Sequence, residues 1–109
     1  MQEDRVVRLT SDLGLIYYCP GCLRKHIVYV DSNKKPSWGW NGDIVKPTFT
    51  PSVLVRHTPT YTVKELEQLG QKELIKDIVC HSYITGGKIR YLSDTNHHLS
   101  GKTVDMVKV

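Results

Sequence analysis

The sequence predicts a β-rich α+β domain, a small antiparallel sheet (curled or sandwich-like) with a cysteine knuckle and one helical segment near residues 62–77. Short runs of β-branched and aromatic residues recur between turn formers. Gly86-Gly87 forms a two-residue turn able to take positive φ at both positions. A single capping-box signature, Thr62-Val-Lys-Glu65, precedes Leu66, Leu69, Leu74 and Ile75. At 109 residues the chain fits one domain, 1–109, and has no room for a catalytic domain beside a binding domain. Its 39% apolar content supports a modest core that an added cross-link would help.

Taken in order, Arg5 to Leu9 and Leu15 to Cys19 read as strands separated by Ser11, Asp12 and Gly14. Cys19-Pro-Gly-Cys22 then turns the chain, and Ile27 to Val30 completes a hairpin with that turn at its tip. Pro36, Pro47 and Pro51 exclude a long helix around Trp38-Gly-Trp-Asn-Gly-Asp43, which predicts an ordered, irregular loop. Ser52 to His57 is the next strand, and the capped helix follows, with Gly70 inside it. Ile78 to Thr85 and Lys88 to Leu92 form a hairpin around Gly86-Gly87; Thr103 to Val109 alternates as a last strand.

The charge balance, 15 Lys+Arg against 11 Asp+Glu, gives +4 without a basic run, which permits an acidic partner without demanding one. Neither a signal peptide nor a membrane span is evident, so a reducing cytoplasmic location is expected. Three cysteines, two of them at Cys-x-x-Cys spacing, suit a metal better than a disulfide framework.

The Pro-Gly turn aims the Cys19 and Cys22 thiolates at one point, the geometry of a zinc knuckle. Cys80 is the only other cysteine, so a histidine or carboxylate must complete four ligands. The candidates are His26, His81 and His97, with His57 and His98 behind them. Adjacent residues of a strand face opposite ways, which argues against His81 joining Cys80 on one ion. His97 is preferred, because the Gly86-Gly87 hairpin returns its loop toward Cys80; His26 is the alternative ligand.

His26, His81, Asp94 and His97 could also make an acid/base or second metal site, since imidazoles titrate near neutrality and a carboxylate can orient one. Within that group His81 and Asp94 are the catalytic candidates. Trp38 and Trp40 are candidates for partner binding, although loop packing is the simpler role; Asp43 is a third, with turn capping as its simpler role. The sequence displays no Gly-rich phosphate loop, Ser-His-Asp arrangement or His-Glu-x-x-His helix.

The blocks Cys-Pro-Gly-Cys with His26, Trp-x-Trp-Asn-Gly-Asp43, Pro47-Thr-Phe-Thr-Pro-Ser52, Cys80-His-Ser and Ser93-Asp-Thr-Asn-His-His-Leu-Ser-Gly101 occur in an order that resembles a family of small, uncharacterised phage and prophage proteins. Some members carry an automatic ammonia monooxygenase label, which these residues do not support. The resemblance implies a phage accessory protein in the host bacterial cytoplasm, holding zinc through Cys19, Cys22, Cys80 and one histidine. In that family the histidine loop often has a cysteine where this chain has Thr95, so a fourth thiolate is absent here. The segment from His57 to Ile78 is longer than its counterpart in the family.

Three functions compete at this stage. The first is a zinc-stapled interaction module acting on a host or phage macromolecule, with a host or phage protein as its expected partner. The second is a metal-dependent hydrolase with His81 or Asp94 as its base. The third is nucleic-acid binding through Trp38, Trp40 and nearby lysines. Whether the protein is an enzyme, and in what oligomeric state it works, stay open.

Overall fold

The computed structural model describes residues 4–57 and 77–109. They form nine strands in three antiparallel arrangements. The first sheet has the order β1 (Arg8–Leu9), β2 (Gly14–Cys19), β3 (Arg24–Tyr29). A two-stranded ribbon pairs β4 (Gly39–Trp40) with β5 (Phe49–Thr50). The second sheet follows chain order: β6 (Val53–His57), β7 (Ile78–Thr85), β8 (Lys88–Tyr91), β9 (Thr103–Asp105).

This architecture corrects the expected α+β class. Among the described residues every regular element is a strand, so the class is all-β. The helical segment expected near residues 62–77 lies, but for Asp77, outside the described residues. No helix among the described residues is long and apolar enough to cross a membrane. The last strand stops at Asp105 rather than running to Val109. The expected irregular loop around Trp38 contains the short β4 pairing.

Side-chain alternation explains how the sheets meet. Leu15, Tyr17 and Cys19 of β2 are buried on one face, as are His26 and Val28 of β3. On the second sheet Ile78, Cys80, Ser82 and Ile84 of β7 alternate with less buried residues, and Ile89 and Tyr91 do so on β8. These apolar residues join Phe49, Val53 and Met106 in one buried cluster, so the two sheets share a core. Sandwich-like is therefore the better of the two expected shapes. The predicted hairpins are present: Cys19 pairs with Arg24 across the knuckle, and Thr85 with Lys88 across Gly86 and Gly87, whose φ values are 57° and 80°.

Candidate metal centre and active site

The knuckle joins β2 to β3. Leu23 N donates to Cys19 O (2.8 Å), Cys22 N donates to Cys19 Sγ (3.4 Å), and Leu23 takes a positive φ of 55°. Backbone donors therefore already face the first sulfur. Cys80 arrives from the second sheet, its Sγ 3.8 Å from that of Cys19. His26 is the histidine that joins them: the ligating atoms of Cys19, Cys22, His26 and Cys80 all lie within 4.8 Å of one another, and all four residues are buried.

His26, the alternative ligand, reaches the thiols directly from its strand. Its place in β3 puts it on the same buried face as Cys19. His97, the preferred fourth ligand, lies outside this set of four. It is buried beside the knuckle, its ring 4.6 Å from that of Tyr91 and its Nδ1 accepting from Leu99 N (3.2 Å). Gly21 packs directly on that ring; a Cβ there would come within 2.1 Å of it. His57 sits at the end of β6, with Nδ1 2.9 Å from the Arg24 guanidinium.

The donor set suits a thiophilic divalent cation. Hydrogen bonding from the Cys22 and Cys80 thiols holds the Cys19 thiol far below its ordinary range, while the same contacts push Cys22 and Cys80 up. Protein groups alone thus favour one thiolate and oppose a second and third; a cation in their midst removes that opposition. Burial, followed by the neighbouring Cys19 charge, raises Tyr91, which keeps its hydroxyl protonated 3.1 Å from Cys19 Sγ. His26 Nε2 and His97 Nε2 are both buried without a hydrogen-bond partner among the described residues, and both rings act on the Cys19 thiol, so the orphaned nitrogens fit a metal or bound ligand at the knuckle without choosing between the two histidines. Three sulfurs and one imidazole are a closed tetrahedral set for zinc.

His81 adjoins Cys80 and faces the other way, as strand alternation requires. Its Nε2 is 2.9 Å from Ser52 Oγ. Its Nδ1 lies 2.9 Å from Asp94 Oδ2 and 3.1 Å from Oδ1. This is a Ser-His-Asp arrangement, and it corrects the statement that the sequence has none. The pairs are 29 and 13 residues apart, and only the β6–β7 pairing and the loop after β8 bring them together. The available signal was Ser52 at the end of the Pro47-Thr-Phe-Thr-Pro-Ser52 block; it was passed over as part of a strand.

The surroundings hold this relay in place. Thr95 Oγ1 accepts from His81 N (2.9 Å) and donates to His81 O (2.8 Å), and Thr95 is 3% exposed. Leu92 N donates to the same carbonyl (2.8 Å). Asp94 and Thr95 thus hold His81 together, one by its ring and the other by its backbone. Trp38 Nε1 donates to Ser52 O (3.2 Å), which ties the Ser52 backbone to the residue just before β4.

The aromatic block is otherwise occupied in building its own loop. Trp40 Nε1 donates to Asp43 O (3.1 Å), and Asp43 Oδ1 accepts from Val45 N (2.8 Å) and Lys46 N (3.0 Å). Both tryptophans pack against the core, and Asp43 caps a turn, so each plays the simpler role set out for it.

Residues 1–92 match the profile of a family described as "Bacterial ubiquitination-like system serine protease (BubE)". No curated protein and no solved structure matches the chain. The matched span includes Ser52, His81 and all four residues of the cysteine-histidine cluster. Asp94 lies just past its end, so its place in the relay rests on geometry.

Proposed function

Because the chain belongs to the family of bacterial ubiquitination-like system serine proteases (BubE), we propose that it is a serine hydrolase cleaving an amide bond in a protein of such a system. One observation carries this reading: the continuous hydrogen-bonded chain from Ser52 Oγ through both nitrogens of His81 to the Asp94 carboxylate.

The chemistry follows from that chain. His81 Nε2 accepts the Ser52 hydroxyl proton as Oγ attacks the substrate carbonyl; Asp94 accepts a hydrogen bond from Nδ1–H, fixes the tautomer and stabilises the imidazolium that forms. The imidazolium then gives its proton to the departing amine, leaving an ester on Ser52. A water deprotonated by His81 hydrolyses that ester and restores the free hydroxyl. His81 and Asp94 thus keep the catalytic candidacy read from the sequence, but the nucleophile is a serine rather than a metal-bound water.

In this proposal Cys19, Cys22, Cys80 and His26 hold zinc as a staple between the two sheets, since a closed set leaves no position for water or substrate. When bound, zinc supplies a cross-link that a domain of this size gains much from. The expected bacterial cytoplasmic setting and the host or phage protein partner enter in one form: the partner is the substrate.

A fluorophosphonate probe tests the reading. The folded parent should gain one adduct by intact mass, mapped to Ser52, while Ser52→Ala gains none and His81→Ala reacts at least a hundredfold more slowly. A folded parent that does not react, or reacts equally after His81→Ala, overturns it.

A further inference from the structure

The face of the second sheet that carries His81 also carries exposed groups with no structural task. Leu54, directly across β6 from His81, is 48% exposed, and Tyr83, two residues along β7, is 45% exposed. Continuing the Val53–Ser82 register by one step sets Ser52 across from Tyr83, and Tyr83 in turn pairs with Arg90 of β8. Ser52, Tyr83 and Arg90 therefore form a row across three strands, on the outward face that includes His81.

Arg90 is exposed, and among the described residues no hydrogen bond or ion pair engages its guanidinium. Its neighbours of opposite sign are already committed: Asp105 to Lys88 (2.6 Å) and Asp94 to His81. Arg90 lines a cavity of about 480 Å³ whose wall includes His81 and Asp94, and a second of about 380 Å³ with Tyr83 and Lys88. A cation unpaired among the described residues, in a cavity shared with His81 and Asp94 and in a chain of net charge +4, is placed to receive an anion.

We propose that Arg90 is a specificity-determining residue that recognises a carboxylate of the substrate, an extended peptide lying across Tyr83 with its scissile carbonyl at Ser52. Resting on the serine-hydrolase reading, the proposal adds the substrate's chemistry to it. Adjacent strands are about 4.8 Å apart, so Arg90 stands about 10 Å from Ser52, a span that extended chain covers in about three residues. The carboxylate is therefore an Asp or Glu side chain, or a free C-terminus, about three residues from the bond that is cut. Bidentate pairing with a planar guanidinium favours Arg over Lys for this task.

The test is protection of Ser52 from the fluorophosphonate by alanine-based hexapeptides carrying one Glu, or Gln or Lys in its place, at each position in turn, with free-acid and amidated C-termini. Against the parent, a Glu peptide of one register, or the free acid, should protect at about tenfold lower concentration than its neutral match. Arg90→Gln should abolish the difference, and Arg90→Glu should transfer the preference to the Lys peptides, each variant's protection being measured against its own labelling rate in the absence of peptide. Side-chain and C-terminal carboxylates are told apart by whether amidation removes the effect. Equal protection by acidic and neutral peptides, or a preference that survives Arg90→Gln, overturns the proposal; failure of the parent to label at all instead overturns the hydrolase reading.

Discussion

Cys80 and His81 are neighbours in β7, yet they belong to regions of opposite character. Cys80 turns inward to a cluster in which every donor is buried, while His81 turns outward to a relay whose acid, Asp94, keeps 59% of its side chain exposed. The period of two in a strand lets one segment serve a cross-link on one face and chemistry on the other. The contrast teaches that the two should be separable in one direction only. Damage to the relay should leave the fold intact, whereas damage to the cluster should remove both, because the strand that carries Cys80 also carries His81.

The largest effect expected is that of Cys80→Ala. Structural zinc contributes an apparent binding energy of about 10–16 kcal/mol at neutral pH, as much as the whole stability of a small domain. The variant should lose its metal by native mass spectrometry, its cooperative melt and its reaction with fluorophosphonate together. His97→Ala, which lies outside the cluster, should keep one metal per chain. A Cys80→Ala protein that melts like the parent would erase the contrast. Next in size is Asp94→Asn, which leaves the geometry but no longer sets the His81 tautomer and should lower the hydrolytic rate by about 10⁴. Melting temperature and metal content should stay at parental values.

The cluster was far more legible in the sequence than the relay, for a physical reason. Metal ligands at Cys-x-x-Cys spacing are constrained locally by the knuckle, so Cys19 and Cys22 announce themselves. The other residues of the cluster come from strand faces: Cys80 stands in it as expected, and so does His26, the alternative to the preferred His97, because strand alternation turns His26 inward. Ser52 and Asp94 carry no local constraint at all; each meets His81 through the pairing of β6 with β7 and the return of the loop after β8. The hairpins were legible since Cys-Pro-Gly-Cys and Gly86-Gly87 prescribe their own turns. The class was not, since one capping box outweighed nine short strands in the estimate of helix content.

Thr95 joins the loop of the relay to the backbone of β7, and a smaller effect is expected there. Thr95→Val keeps the volume but leaves His81 N and O without the hydroxyl, which should cost about 1–3 kcal/mol and lower the melting temperature. The hydrolytic rate should fall with KM unchanged, because the hydroxyl orients the base without touching substrate. Thr95→Ser restores the hydroxyl and should recover most of both losses. Equal damage from Val and Ser would mean that Thr95 acts by packing alone.

The smallest effect belongs to Asp43, which lies in neither region and so marks the outer limit of the contrast. Hydrogen bonds from Lys46 N and then Val45 N hold its carboxyl below the ordinary value. A depressed folded value means that the contribution is complete above the unfolded value of about 3.9 and is lost as pH falls through the folded one. Asp43→Asn should therefore be slightly less stable than the parent by a constant amount between pH 7 and pH 5, with the gap beginning to close by pH 4. Urea melts in excess zinc at pH 7, 5 and 4 would measure it. Metal content and the labelling rate of Ser52 should not change, since the Trp38 bond to Ser52 O does not involve Asp43. A fall in labelling would show that the tryptophan loop takes part in positioning the nucleophile and would redraw the boundary of the active region to include it.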